Sequence, residues 1–500
     1  MLLDEVVGVP LVLAGLAPLL VLAPRSKKAA ATVCNVAYVL AYILLYRLSQ
    51  RVYGSPGHYV TLGLPGLGDD AFMVNSMTLY VSAMMLFVSH MILLHALLSE
   101  DEEIDALKYA AMLAAAGSAV GVMYSNNLAL IAGFWEALIV SVVGVLYERE
   151  LRSAQEATLK MLVMSLVGSV LMFLGIALAF VAAMPLRPSL AVLNLTSLLE
   201  VFGYLHGASV NVALASLVFM IAGMGIEVGL APFHMWLPDV YSGTRACSAA
   251  FVFSLEDTAG LWLLLRVLSA YSRVPIGPVF YALTPAFVIL AVFSVLSISI
   301  GELSALSQNA IRRLLGYSSI ADAGYVLLLI SYIVYSKTNI FTGAGMVYAA
   351  PAAYFIVFSI MSLTTSLALM GVMEEVGIKS LDTIRGAVAR VPLLTLLLLI
   401  SILSVAGVPP LSGFIAKLMM LSFLTASREV VSILLAITAT LFFVVCAAYM
   451  LRVVQRATLE KSEKMEREEI CVTPLVPLIV LVSIIVLAGC VPTLFIPPIP

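Results

Sequence analysis

The chain has 500 residues, of which 62% are hydrophobic and only 11% are charged, and its formal net charge is −3. A soluble domain of average composition carries about 25% charged residues, so the composition excludes an ordinary soluble protein and predicts a polytopic membrane protein. There is no basic patch of the kind that binds nucleic acid.

Apolar stretches long enough to cross about 30 Å of hydrocarbon fill nearly the whole sequence, so we expect a single polytopic membrane domain over residues 1–500. The first apolar run precedes the basic group at residues 25–28, the reverse of the order in a signal peptide, and is interpreted as a spanning helix. Residues 391–425 exceed one crossing and are interpreted as one broken span, whereas residues 185–210 are too polar and irregular to cross. The pattern predicts an all-α fold of about fourteen spans: 6–23, 30–46, 73–98, 109–123, 127–147, 157–183, 211–231, 246–270, 278–300, 314–335, 344–372, 391–425, 430–451 and 474–492.

The loop charges predict the orientation of these spans. If the N-terminus lies outside, the loops after odd-numbered spans contain most of the lysine and arginine residues. Because cytoplasmic loops carry an excess of these residues, we expect a multi-pass protein of the plasma membrane with both termini outside.

Two spans contain prolines that interrupt a helix, Pro232 and Pro238 in span 7 and Pro409–Pro410 in span 12. The backbone groups freed by such a break must be satisfied by protein or by water inside a cavity. Spans 7 and 12 are five apart, an odd number, so two five-helix units would be inverted relative to each other. These units are residues 109–270 and 278–451, followed by a last span over 474–492. Interrupted helices at matching positions of inverted halves are typical of a transport site.

Charged residues deep in a span are costly and usually mark ion or proton pathways. Glu136 lies in the middle of span 5, and Lys160, at the start of span 6, is its predicted partner. Glu227 lies just before Pro232, where the break leaves backbone groups and room for water. His234 lies in the break itself, as a proton relay or as a residue that fixes the turn through a backbone hydrogen bond.

Further charged residues lie in spans 8, 10 and 12. Glu256 and Asp257 are adjacent, so they face different directions on a helix, and at least one should point into the bundle. Arg266 lies towards the outer end of the same span, where snorkelling to the interface is expected. Asp322 is flanked by hydroxyl and small residues that allow close helix packing, and Lys417 suits a switchable proton carrier. The predicted row across the bilayer is Glu136, Lys160, Glu227, Asp257, Asp322 and Lys417, with His234 beside it.

The chain shows no motif for a cofactor. The five cysteines are scattered, without a CxxC pair or neighbouring ligand histidines, which argues against a disulfide framework and against a metal or iron–sulfur site. The glycines fall in apolar helices and turns rather than in a nucleotide-binding strand–turn–helix unit. We therefore expect no flavin, quinone, nucleotide or metal in this chain.

Several motifs occur in order along residues 70–450: Phe134–Glu136, Lys160 followed by Gly168–Ser169, Pro232–Asp239, Arg312–Ile320 and Gly407–Lys417. Together they resemble the antiporter-like membrane subunits of respiratory complex I, a family that includes Mrp-type cation/proton antiporter subunits and the membrane arms of energy-converting hydrogenases. The segment Pro238–Gly243 most resembles complex I subunit N, and the chain as a whole fits subunit M equally well.

The resemblance implies a fold with inverted five-helix repeats, broken helices 7 and 12, and a central chain of charges that relays protons. The chain would be a non-catalytic, ion-pumping subunit of a redox-driven translocase, a complex I-like oxidoreductase that uses NADH and quinone or a ferredoxin- or F420-type donor. Its partners would be other membrane-arm subunits, with the redox arm as an indirect partner. Carried over by position, Glu136 is the glutamate of helix 5, Lys160 the lysine of helix 6, and Lys417 the charged residue of broken helix 12.

Three positions depart from the family pattern. Glu227 stands where the family has a lysine before Pro-Phe-His, the lysine of helix 8 falls on Asp257 or Thr258, and the histidine or glutamine of helix 10 falls on Asp322. Two hypotheses follow: the carboxylates pass protons or bind Na⁺, as in a Na⁺/H⁺ antiporter-type subunit of an Mrp or hydrogenase complex, or this copy is a non-pumping structural spacer. We favour retained ion conduction, because decay would leave apolar residues rather than costly buried charges.

Overall fold

The computed structural model describes residues 4–22, 26–55, 57–99, 106–273, 285–336, 340–341, 346, 348–426, 428–461, 468 and 470–496. The predicted start of the second repeat, at residue 278, lies outside these residues. The helices are α1 Glu5–Leu22, α2 Lys27–Gly54, α3 Ser76–Ser99, α4 Ala106–Tyr124, α5 Leu128–Leu146, α6 Arg152–Ala183, α7 Leu195–Val201, α8 Ala208–Glu227, α9 Leu237–Gly243, α10 Ala246–Ala270, α11 Pro285–Ser307, α12 Ile311–Ser336, α13 Ala350–Glu375, α14 Ala387–Arg390, α15 Pro392–Ala406, α16 Ser412–Ala426, α17 Val430–Leu459 and α18 Val476–Cys490.

The protein is a helical membrane bundle. In the described residues, 11 helices are long and apolar enough to cross a membrane, and α1, α15 and α16 are shorter apolar helices. At about 1.5 Å per residue, the 25 residues of α10 are also long enough to cross. The all-α class is confirmed, while the count of fourteen spans and the two inverted repeats stay predictions.

A β-hairpin precedes α3, where the sequence analysis predicts no strand. Its strands are β1 Tyr59–Leu64 and β2 Gly68–Asn75, paired antiparallel. Asp70 on β2 accepts hydrogen bonds from Asn194 Nδ2 (2.5 Å) and Thr196 Oγ1 (2.5 Å). The hairpin thus binds the polar segment 185–210. The helices of this segment that precede α8 have at most 7 residues and are too short to cross, as predicted.

In the first broken span, helix α8 ends at a glycine. Gly229 follows the end of α8 with φ +66°, a left-handed conformation that suits glycine. Leu230 N–H then donates to Gly225 O at 2.7 Å, the hydrogen bond of a glycine C-cap. Pro232 lies in the non-helical stretch after this cap, and Pro238 occupies the first turn of α9. The break is therefore present as predicted, but the glycine ends α8 before Pro232 is reached.

The second broken span repeats this arrangement. Gly407 follows α15 with φ +78°, and Val408 N–H donates to Leu403 O at 3.0 Å. Pro409 and Pro410 come next, before α16 begins. Both predicted breaks are thus confirmed, and both begin with the same glycine cap.

Helix α10 lies in the middle of the bundle. It packs against α3, α4, α5, α8, α12 and α13, and nearly all of its side chains are buried. Helix α13 is buried over most of its length in the same way. Charged groups on α10 are consequently enclosed by protein rather than by lipid.

Ion pairs join the loops that the sequence assigns to the cytoplasmic side. Glu148, between α5 and α6, pairs with Lys108 (3.4 Å) and Arg245 (2.6 Å). Asp382, between α13 and α14, pairs with Arg456 at the end of α17 (2.8 Å). These loops therefore share one face of the bundle, as the predicted topology requires, although which face is cytoplasmic stays a prediction.

Candidate functional site

The first part of the candidate site is Glu227, the last residue of α8. Its side chain is buried, with 1% of the residue exposed. Ser169 Oγ, from α6, donates to Glu227 Oε1 at 3.4 Å, and Oε2 has no hydrogen-bond partner among the described residues. The acid therefore reaches into the bundle, where the side chains of Ser165 and Trp135 also interact with it.

Close packing of α6 against α8 shapes the pocket around this acid. A Cβ atom added to Gly223 would lie 2.6 Å from Met172 N, and one added to Gly168 would lie 2.7 Å from Glu227 Oε1. Small residues at such positions let helix backbones approach in a membrane. Gly168 thus leaves the space that the Glu227 carboxylate occupies.

The predicted pair between Glu136 and Lys160 does not form. Lys160 lies about two turns into α6, and its amino group pairs with Glu156 (2.8 Å) and Asp239 (2.9 Å) near the face that carries the loop ion pairs. Its side chain is 46% exposed. The pairing prediction is wrong because a lysine so near the end of its helix reaches the acids at that end.

Glu136 on α5 instead belongs to the surroundings of Glu227. Its charge acts on Glu227, and its buried Oε1 has no hydrogen-bond partner among the described residues. The structure therefore places Glu136 with a second acid, and Lys160 outside the row that the sequence predicts.

Helix α10 contributes two adjacent acids. Asp257 accepts a hydrogen bond from Ser319 Oγ of α12 at 2.9 Å. Glu256 is 0% exposed, and neither of its carboxylate oxygens has a hydrogen-bond partner in the described part of the chain. The sequence analysis selects Asp257 for the row, and the structure buries both residues.

The second half of the bundle holds Asp322 and Glu302. Ser359 Oγ of α13 donates to Asp322 Oδ2, and Tyr325 OH of α12 donates to Glu302 Oε1 at 2.8 Å. Glu302 is 1% exposed. The sequence analysis misses Glu302 because the predicted span ends at residue 300, whereas α11 continues to Ser307.

Lys417 of α16 completes this second group. Its Nζ donates to Val405 O at 2.8 Å and lies 4.7 Å from the centre of the Phe443 ring. Val405 is next to last in α15, so its carbonyl is one that a helix end leaves without an intrahelical donor. The charges of Asp322 and Glu302 both interact with Lys417.

At the first break, a backbone carbonyl near the end of α8 accepts a hydrogen bond from an uncharged donor. Trp236 Nε1 donates to Ile226 O, near the end of α8, at 3.0 Å. His234 lies in this break, 8% exposed, and its ring centre lies 6.4 Å from that of Tyr317. His234 Nδ1 has no hydrogen bond of ordinary geometry among the described residues, although the backbone of Pro232 interacts with this side chain. Its role in a relay stays a prediction.

Arg266 does not snorkel to the interface as expected. It is 4% exposed and donates to Met123 O, at the end of α4. The expectation is wrong because α10 is surrounded by other helices, so the side chain finds a carbonyl rather than lipid headgroups.

The arrangement is suited to moving protons or small cations. The buried interior contains carboxyl groups, hydroxyl groups and the amino group of Lys417. A carboxylate or a neutral amine accepts a proton and its protonated form donates one, whereas a hydroxyl group does both. Among the described residues, no three histidine, cysteine, aspartate or glutamate side chains are grouped to hold a metal ion. The expectation that the chain holds no cofactor stays a prediction.

Comparison with protein families and curated sequences shows what the chain is similar to. A family model described as "NADH:quinone oxidoreductase/Mrp antiporter, TM" matches residues 125–443. "NADH-quinone oxidoreductase subunit N 2" of Sorangium cellulosum is 32% identical over 327 residues, which cover 65% of this chain and 61% of the relative. "NADH-quinone oxidoreductase subunit N" of Cupriavidus taiwanensis is 30% identical over 349 residues, covering 69% and 66%. The matched part thus spans less than two thirds of either relative.

Solved structures share the fold. A chain of "Respiratory complex I from Thermus thermophilus with bound Aureothin" superimposes with a TM-score of 0.76 at 21% identity, covering 99% of both chains. A chain of "Structure of Mrp complex from Dietzia sp. DQ12-45-1b" superimposes with a TM-score of 0.81 at 16% identity, covering 99% of this chain and 96% of that one. At these identities the likeness shows the fold alone.

Proposed function

Since the chain belongs to the NADH:quinone oxidoreductase/Mrp antiporter transmembrane family, we propose that it is a proton-translocating, antiporter-like subunit of a complex I-like NADH:quinone oxidoreductase. It carries no redox cofactor and moves H⁺ through its buried acids. Its partners are other membrane-arm subunits, and the redox arm drives it indirectly. It is a protein of the plasma membrane with both termini outside.

The observation that carries this proposal is a stripe of polar residues on α12. Ser319, Asp322 and Tyr325 follow one another at a spacing of three residues, so each is a neighbour of the next on the helix surface. Ser319 bonds to Asp257 of α10, and Tyr325 bonds to Glu302 of α11. A line of proton-exchanging groups therefore links the acids of the central helix to those near Lys417.

The energetic cost of burying these acids in the membrane supports a role for them in proton transfer. An isolated charge in the bilayer interior costs at least about 2.5 kcal/mol on insertion scales, and a structural spacer would gain nothing from several of them. Burial of Glu227, Asp257 and Asp322 supports a relay in which carboxylates replace the basic residues found in relatives. The non-pumping spacer is the outcome that would contradict the proposal.

Acids outnumber cations in this interior, which favours one alternative. Lys417 and Arg266 are the buried cations of the described mid-membrane region, against Glu227, Glu256, Asp257, Asp322 and Glu302. Carboxylate oxygens are also ligands for Na⁺, so a Na⁺/H⁺ antiporter-type subunit of an Mrp or membrane-bound hydrogenase complex is the second candidate. Uptake of Na⁺ that follows electron transfer would favour it.

The proposal is tested in the whole complex. The complex is isolated through a tag on this chain, sealed into vesicles, and supplied with NADH and a quinone while H⁺ uptake and electron transfer are recorded together. Asp322→Asn and Lys417→Met are compared with the wild type. Glu375→Gln, a substitution at an exposed residue at the end of α13, is the matched control.

We expect the two interior variants to assemble and to transfer electrons while the H⁺ translocated per electron falls. The control should keep the wild-type ratio. An unchanged ratio in both interior variants would show that this chain is a structural spacer and would overturn the proposal.

A further inference from the structure

Glu256 is the most enclosed acid of the bundle and has no role in the predicted row. It is 0% exposed, and both of its carboxylate oxygens lack a hydrogen-bond partner among the described residues. A buried polar group without a partner destabilises the folded protein, and a charged one does so more strongly. A side chain kept at that cost calls for a functional explanation.

The face of α10 that carries Glu256 points towards the first broken span. Gly260 lies four residues later, on the same side of the helix. A Cβ atom on Gly260 would lie 2.5 Å from Val228 Cγ1 and 3.0 Å from Trp135. Val228 directly follows Glu227, so Glu256 is on the side of α10 that packs against the end of α8.

Asp257 points to the other half of the molecule. Successive residues of a helix are rotated by about 100°, and Asp257 meets Ser319 of α12 through its hydrogen bond of 2.9 Å. Two acids that are adjacent in sequence are therefore presented to two different groups of helices.

The charges that act on Glu256 are both acidic. They come from Asp257 on the same helix and from Glu227 on α8. Ion pairs within the described residues do not include Glu256, and Arg266 of the same helix is turned to Met123 O. Without a counter-charge, a carboxyl in this position is stable only while it holds a proton.

We infer that Glu256 is a proton carrier that connects Glu227 in the first half with Asp257, and through Ser319 with the second half. Glu256, as a carboxylic acid, passes its proton to the Asp257 carboxylate, and the carboxylic acid of Glu227 then returns a proton to Glu256, directly or through one water. Each transfer breaks one O–H bond and forms another, and leaves the donor as a carboxylate. This inference rests on the proposed function, since it names the residue that joins the two halves of the same relay.

The test compares four variants of the whole complex in sealed vesicles. Glu256→Gln removes the exchangeable proton at nearly constant shape, and Glu227→Gln and Asp257→Asn interrupt the relay on either side. Ser254→Ala is the control on the same helix, because its hydroxyl is buried and donates only to Phe251 O. Assembly, electron transfer and H⁺ per electron are measured for each.

We expect Glu256→Gln to slow proton transfer through this chain on the order of 100-fold, so that H⁺ per electron falls to the value of Glu227→Gln. Ser254→Ala should behave as the wild type. If Glu227→Gln lowers the ratio and Glu256→Gln does not, the inference is overturned while the proposed function stands. If none of the three acid variants lowers the ratio, the proposed function itself fails.

If the complex with Glu256→Gln does not assemble, a second variant tests the inference. Glu256→Asp keeps the acid and withdraws it by one methylene group, so the complex should assemble with slower translocation. Wild-type translocation in an assembled Glu256→Asp complex would contradict a carrier whose position matters.

Discussion

Gly168→Ala should slow proton transfer at Glu227 with little effect on the folded structure. The new Cβ atom would lie 2.7 Å from Glu227 Oε1 and 3.1 Å from Gly223 O. Ordinary van der Waals contact begins at 3.4 Å, so the carboxylate oxygen must retreat by about 0.7 Å. It would move away from Gly168 and lose its alignment with Ser169.

The expected magnitude follows from this displacement. A reacting group misplaced by about 1 Å can cost on the order of 100-fold in rate, so a shift of about 0.7 Å should slow proton transfer at Glu227 by roughly tenfold or more. The cost in stability should stay near the lower end of the roughly 1–3 kcal/mol for overpacking, because the clashing atom is the movable end of a side chain.

Two other glycines provide matched controls. A Cβ atom on Gly223 would lie 2.6 Å from Met172 N and 2.7 Å from Gly168 O. Both are backbone atoms, so Gly223→Ala must push α6 away from α8. It should cost about 1–3 kcal/mol of stability and reduce assembly. Gly133→Ala, with nothing within 4 Å of the new atom, should leave stability and translocation unchanged.

The assay combines H⁺ per electron in sealed vesicles with thermal unfolding of the solubilised complex. Normal translocation in an assembled Gly168→Ala complex would refute the claim that the position of the Glu227 carboxylate matters. An equal loss of stability in Gly168→Ala and Gly223→Ala would refute the reasoning that separates a movable side chain from a fixed backbone.

Two further predictions concern the face of the bundle that carries the ion pairs. Hydrogen bonds from Asn309 and Arg456 lower the pKa of Asp382 below its ordinary value of 3.8. Its contribution to stability is therefore complete above that value and is lost as the pH falls through the lowered pKa. Thermal unfolding measured between about pH 5 and pH 2 should show this loss in the wild type and not in Asp382→Asn, and equal pH profiles would contradict it. Cys471, exposed between α17 and α18, should react with a membrane-impermeant thiol reagent only in inverted vesicles if both termini lie outside. The test uses a Cys490→Ser background, because Cys490 at the other end of α18 is also exposed, and Cys471→Ser in that background is the control. Labelling of Cys471 in intact cells would reverse the predicted orientation.

The acid-rich interior distinguishes this chain from the family pattern described above. By the resemblance, Glu227 stands where a lysine is expected, a second lysine is expected at Asp257 or Thr258, and Glu256 adds a further acid beside them. In a relay built on lysine, the mobile proton leaves a neutral amine, whereas in one built on carboxylates it leaves an anion. Each transfer therefore leaves a negative charge that the next proton must neutralise, and the charge of Lys417 acts on both Asp322 and Glu302.

Much of the site could be predicted from the chain alone. The low fraction of charged residues requires a membrane environment, because apolar stretches of this length can bury their backbone polar groups only as helices. A charged side chain in the hydrocarbon is energetically costly, so each one in the sequence indicates a function. For this reason the sequence alone could select Glu136, Glu227, Asp257, Asp322 and Lys417. The two breaks were also visible, since proline and glycine act on the backbone locally.

The tertiary structure decided which of these residues meet. The sequence predicts Glu136 as the partner of Lys160, but Lys160 pairs with Asp239, because its partner depends on the position of α6 relative to α9. Arg266 was assigned to the interface but is buried, since exposure depends on which helices surround α10.

The remaining differences have the same origin. Glu302 lay beyond the predicted end of its span, and the end of a helix depends on contacts that the sequence does not show. Sequence alone established that Glu256 and Asp257 face different directions. Only the packed bundle decided that Glu256 faces the end of α8 and Asp257 faces α12. The depth of a residue in the membrane and its helix propensity are properties of a single helix. A relay depends on the relative positions of several helices.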